Sequence, residues 1–196
     1  MAELLALFPA GSSIDDDGTV VVGGCRADEL AAQFGTPVLV VAEAALRARA
    51  REYVDELTAR WENSRVVFAS KAFPCTAVQR VMVEEGLGLD VAGGGEILTA
   101  IKAGVDPGLI VHHGNAKTDE EIALAIEHGV GLVVVDNSDD VDRLEASVPE
   151  SRSQDVLVRV IPGVTAAQAR TIASAARAVK EGPVPVGAAR TEVRVS

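Results

Sequence analysis

From Thr36 onward the chain repeats one pattern of apolar and polar positions. A short, nearly unbroken apolar run is followed by a polar turn and then by a longer stretch with apolar residues at helical spacing. The short runs are Thr36–Val41, Arg65–Ser70, Leu87–Val91, Leu109–His112, Leu132–Val135 and Val156–Ile161. The longer stretches Glu43–Trp61, Cys75–Glu85, Gly95–Ala103, Asp119–His128 and Ser138–Glu145 predict helices, with a sixth over Ala166–Val179. Gly86, Gly104 and Gly129 stand where three of these helices should stop. Strands that are apolar along their whole length are buried on both faces, so the pattern predicts a parallel sheet covered by helices.

Two folds share that alternation. A dinucleotide-binding sheet needs a glycine-rich turn directly after its first strand. Here Val41 runs into Ala42-Glu43-Ala44. The expectation is therefore an α/β chain forming an incomplete (β/α)8 barrel of about six βα units, residues 36–164. Such a chain stops before closing its barrel, and its open apolar edges should associate.

The first 35 residues break the rhythm and read as a separate segment. Ile14 to Gly18 predicts a turn, Thr19 to Gly24 a short strand and Ala27 to Phe34 a brief helix ended by Gly35. Residues 165–196 form a third, divergent segment.

Composition narrows the function. Hydrophobic residues make up 48% of the chain and aromatics 3%, so the core is built from aliphatic side chains. A net charge of -11 argues against a nucleic-acid surface, which needs clustered Lys and Arg. Cys25 and Cys75 make neither a disulfide framework nor metal-ligand spacing, and the three scattered histidines argue against a histidine metal site. No apolar run approaches the roughly 20 residues of a membrane span, and the N-terminus lacks the basic start of an export signal. The expectation is a cytoplasmic protein with a small-molecule partner.

In parallel α/β proteins the chemistry collects where strands end, at their carboxyl edge. The second run delivers Lys71, which Pro74 then closes off; the third delivers Asp90 and Ala92-Gly93-Gly94-Gly95-Glu96. The fourth delivers His112-His113-Gly114-Asn115-Ala116-Lys117, the fifth Asp136-Asn137, and the sixth Arg159. Each has a plain alternative. Lys71 could be a strand-end lysine reaching water, Asp90 a turn residue, the glycines a packing device, and His113 a structural histidine. Arg159 in a buried strand needs an anion, whether carboxylate or ligand. A desolvated lysine among such groups is also what an aldehyde cofactor requires, because the neutral amine can attack a carbonyl. Convergence of a lysine, carboxylates, a histidine and an arginine on one rim favours a site.

Four ordered motifs carry a resemblance. They are Phe68-Ala69-Ser70-Lys71-Ala72-Phe73, Leu89-Asp90-Val91-Ala92-Gly93-Gly94-Gly95-Glu96, His113-Gly114-Asn115-Ala116-Lys117, and Leu157-Val158-Arg159-Val160-Ile161-Pro162-Gly163-Val164. With the opening Phe8-Pro9 and Phe34-Gly35-Thr36-Pro37, they resemble the diaminopimelate decarboxylases. These belong to the alanine-racemase-like, fold-type III decarboxylases, which use pyridoxal 5′-phosphate (PLP) on a (β/α)8 barrel with a second β domain. The resemblance implies that Lys71 carries PLP and that Asp90, His113 and Arg159 line the cofactor site. It implies decarboxylation of meso-diaminopimelate to L-lysine, in a homodimer with its site at the subunit interface, and places the 1–35 segment with the β domain. No metal is implied.

The chain departs from the family after Val164. Thr165 to Ala175 lacks the family's next motif, and the position of that motif's histidine falls on Ala169. The elements expected to hold the phosphate and the pyridine nitrogen lie further on in the family. The expectation is a chain inactive on its own. Two alternatives stand beside it: a degenerate relative kept as a binding protein, and a decarboxylase of the same fold acting on arginine, ornithine or carboxynorspermidine.

Overall fold

Two kinds of sheet arise from the two kinds of sequence. The computed structural model describes residues 5–159. Near its start, β1 (Ser13–Ile14), β2 (Val20–Val22) and β3 (Cys25–Arg26) form a small antiparallel sheet. Asp15 closes the β1–β2 turn by accepting from the amides of Asp17 and Thr19, at 3.1 and 2.9 Å. Helix α1 (Ala27–Phe34) comes next, and Arg26 ties the turn to its first residues by pairing with both Asp15 and Asp28. The helix ends at Gly35, whose φ of 81° suits a residue without a Cβ.

The main body alternates as the sequence predicts. In order come α2 (Glu43–Thr58), β4 (Val67–Ala69), a 3-10 turn (Ser70–Ala72), α3 (Thr76–Glu84), β5 (Gly88–Val91) and α4 (Gly94–Lys102). A second 3-10 turn (Pro107–Leu109) leads to β6 (Ile110–His112), α5 (Asp119–His128), β7 (Leu132–Val135), α6 (Ser138–Ser147) and β8 (Val156–Val158). The five strands β4 to β8 lie side by side in chain order, each parallel to the next. A doubly wound sheet would reverse its strand order somewhere; an unbroken succession is the arrangement of a barrel wall.

Aliphatic packing holds this wall. Leu89, Ile97, Ala100, Ile110, Ile122, Ala125 and Val133 are completely buried between sheet and helices. Backbones approach closely at the amino ends of the strands. A Cβ on Gly131 would lie 2.3 Å from the Gly108 carbonyl, and one on Gly88 2.6 Å from the Leu109 carbonyl. Helix α5 begins with a capping box, in which Thr118 and Glu121 exchange side-chain and backbone hydrogen bonds. Among the described residues, no helix is long and apolar enough to cross a membrane.

One predicted strand is absent. Thr36–Val41 pairs with no described strand, and Val38, Leu39, Val40 and Val41 are all exposed, Leu39 to 84%. β-propensity alone does not make a strand, because the ladder supplies the backbone hydrogen bonds. The described sheet thus has five strands rather than six. Val156–Ile161 is seen as a strand through Val158, and the predicted helix Ala166–Val179 lies outside the described residues.

Candidate functional site

The parallel register brings the carboxyl ends of β4 to β8 to one edge. Ala69 pairs with Asp90, Val91 with His112, and Val135 with Val158. Lys71, Asp90, His113, Asp136 and Arg159 therefore leave the sheet at the same rim, in that order.

Lys71 sits in the 3-10 turn after β4 and is exposed. This corrects the expectation of a desolvated amine. β4 is an edge strand among the described elements, so only Ser70 beside the lysine is buried. Asp90 is a strand residue of β5 and not a turn aspartate. Its Oδ1 lies 3.9 Å from Nδ1 of His113, and both side chains are partly exposed. Arg159 lies just past the end of β8 and is exposed, not within a buried strand as expected; it still pairs with an anion, Nη1 lying 3.1 Å from Asp136 Oδ1. The rim thus carries two pairs, Asp90 with His113 and Asp136 with Arg159. Among the described contacts no side chain joins one pair directly to the other.

Two residues of the predicted loops have different places. Lys117 is drawn from the rim into the interior, 2% exposed, while Asn115 two residues earlier stays exposed. The reason is a buried carboxylate. Lys117 Nζ donates to Asp140 Oδ2 at 2.8 Å and to the Gly114 carbonyl at 2.6 Å. The same Asp140 oxygen accepts from the Asp136 amide at 3.0 Å. The glycine run after β5 is a packing and capping device: Glu121 accepts from the Gly94 amide at 3.0 Å, and Glu96 accepts from the Ala92 amide at 2.6 Å. A Cβ on Gly93 would lie 3.1 Å from the Glu121 carboxylate. The amides of Thr118 and Gly94 hold the Glu121 carboxyl below its usual range.

Sequence reasoning passed over Asp140 and Glu121, and placed His112 at the end of the fourth run without giving it a role. His112 is completely buried on β6, and burial, aided by the Lys117 charge, lowers its pKa to about 4. It is a neutral neighbour of the Lys117–Asp140 pair. Asp140 had one visible signal: it lies four residues before Leu144, on the buried stripe of α6. A cavity of about 280 Å³ lies between β7, β8 and α6, lined by Val135, Val141, Leu144, Val156 and Val158 with Asp136 and Arg159. It does not reach Lys71, Asp90 or His113.

The described residues suit one end of PLP. An accessible amine at the rim, with carboxylates, an imidazole and a paired arginine on adjoining strands, fits an aldehyde carried on a polar ring. The amides of Ala92 and Gly94, already bonded to Glu96 and Glu121, do not offer a phosphate cradle.

A barrel wall in chain order with an ionisable rim defines a class of α/β enzyme domain. The chain matches the pyridoxal-dependent decarboxylase family, pyridoxal binding domain, over residues 43–194. It belongs to that family, the fold-type III, PLP-dependent carboxy-lyases. It is 42% identical over 176 residues to the diaminopimelate decarboxylase of Actinosynnema pretiosum subsp. auranticum, covering 90% of this chain and 39% of that protein. It is 40% identical over 200 residues to the diaminopimelate decarboxylase of Mycobacterium bovis, covering 99% of this chain and 44% of that one. The crystal structure of the diaminopimelate decarboxylase from M. jannaschii superposes with a TM-score of 0.74 at 32% identity, over 80% of this chain and 37% of that chain. The chain therefore spans about two fifths of the length of these relatives.

Proposed function

We propose that this chain contributes the PLP-lysine wall of a diaminopimelate decarboxylase, and that the whole protein converts meso-diaminopimelate to L-lysine and CO2. The observation that carries the reading is the succession of Lys71, Asp90, His113 and Arg159 along one carboxyl edge, in a chain about 40% identical to such decarboxylases. A related structure was obtained in co-complex with L-lysine, which supports an amino-acid substrate. When bound, PLP supplies the electron sink that takes up the bonding pair released as CO2 leaves. The protein's part is placement. Lys71 offers its ε-amine to the cofactor aldehyde from an accessible turn. Asp90 sets its carboxylate beside the His113 imidazole. Asp136 holds the Arg159 guanidinium in a fixed direction and balances its charge. The whole protein is proposed to be a homodimer, with the 1–35 segment joining its β domain.

The test is spectroscopic. Purified chain mixed with PLP should develop a visible absorbance band that borohydride removes, and Lys71→Ala should show none. Absence of a band in the unsubstituted chain would rule out a working cofactor site and leave a binding-only relative. Where a band forms, shifts on adding meso-diaminopimelate but not ornithine or arginine support the substrate; the reverse preference would reassign it.

A further inference from the structure

The Asp140 carboxylate stands under the rim without belonging to it. Its Oδ2 receives two donors from different loops: Lys117 Nζ, which also holds the Gly114 carbonyl, and the amide of Asp136. Gly114 directly follows His113, and Asp136 is the partner of Arg159. A continuous chain of contacts results, from His113 through Gly114, Lys117, Asp140 and Asp136 to Arg159. No other hydrogen bond among the described side chains joins the loop after β6 to the loop after β7. Both Lys117 and Asp140 side chains are wholly removed from solvent. A buried ion pair is seldom kept for stability, since apolar replacements of similar volume do as well or better. In some proteins such a pair serves instead to fix directions.

We infer that the buried Lys117–Asp140 pair is a positioning device that sets His113 and Arg159 relative to one another across β6, β7 and β8. The inference rests on the proposed role of those two residues at the cofactor, but its first readout needs no cofactor. Gly114 adopts φ of 123°, and a Cβ there would lie 3.1 Å from the Ala92 carbonyl, so the bend that Lys117 holds is one that suits glycine. Arg143 approaches the other Asp140 oxygen at 3.6 Å and bonds Asp119, which leaves Oδ2 to the two loops.

The experiment compares the unsubstituted chain with Lys117→Met, Asp140→Leu, their combination, and Asp140→Asn. Urea unfolding gives stability. Ring-labelled histidine gives three NMR signals, for His112, His113 and His128. Titration with PLP gives a dissociation constant. Either apolar single variant should unfold at much lower urea, because it strands a buried charge, and the combination should recover the midpoint. In that recovered protein the His113 ring signal should stay displaced, and the PLP dissociation constant should remain raised tenfold or more. Recovery of all three readouts together would overturn the inference and leave the pair a packing element. Should the combination not fold, Asp140→Asn is read in its place; an unmoved His113 signal and unchanged affinity there overturn the inference equally. If the unsubstituted chain binds no PLP, the cofactor proposal fails while the His113 signal still decides the positioning role.

Discussion

Replacing His112 by leucine should flatten the acid side of the stability profile. His112 is completely buried on β6, and neither ring nitrogen has a hydrogen-bond partner among the described residues. Burial is the main cause of its low pKa, and the Lys117 charge adds to it. The folded-state value lies below the unfolded one, so the unfolded chain takes up the proton first as pH falls. Stability present above pH 6.5 is therefore drained on the way down to about 4. At about 1.4 kcal/mol per pH unit, a fall from 6.5 to about 4 amounts to roughly 3 kcal/mol. Leucine has no proton to accept. It also removes two unpartnered polar atoms, so at neutral pH the variant should match or exceed the unsubstituted chain. Urea midpoints measured in steps from pH ~7.5 to ~4 for both proteins, subtracted, cancel the common carboxylates. The difference should grow in favour of leucine by roughly 3 kcal/mol across that range. A difference independent of pH would refute the reasoning.

Other perturbations probe separate parts of the molecule. Thr118→Ala removes the hydroxyl that accepts from the Glu121 amide and should cost about 1 kcal/mol by urea unfolding; no loss would mean the capping box is idle. Gly131→Ala forces a methyl group onto the Gly108 carbonyl and should cost at least ~2 kcal/mol, with a near-neutral midpoint contradicting the close approach. Leu39→Asp, in the exposed run Val38–Val41, should shift sedimentation profiles toward smaller species; an unchanged distribution would show that this run does not mediate association.

The sheet was readable because its strands are largely apolar and three of its helices stop at glycines; Gly129, for example, takes φ of 72° after α5. The rim was readable because parallel strands all deliver their last residues to one edge, so Lys71, Asp90, His113 and Arg159 could be ordered from spacing alone. What escaped the sequence depended on partners. Thr36–Val41 has strand composition, but pairing is a property of two segments. Lys117 reads as a loop lysine until Asp140, 23 residues later, is placed beneath it. The exposure of Lys71 comes from β4 being an edge among the described strands, which no local pattern records.

The glycines at the foot of the strands carry a consequence for how this protein can change. Gly88 and Gly131 sit where β5 and β7 begin, at the opposite end from Asp90 and Asp136. Each strand thus has an end that tolerates no added atom and an end that presents a functional group. The constrained ends below can stay fixed while the reactive groups above are exchanged one strand at a time. Such a division lets one scaffold keep its fold while its reaction drifts.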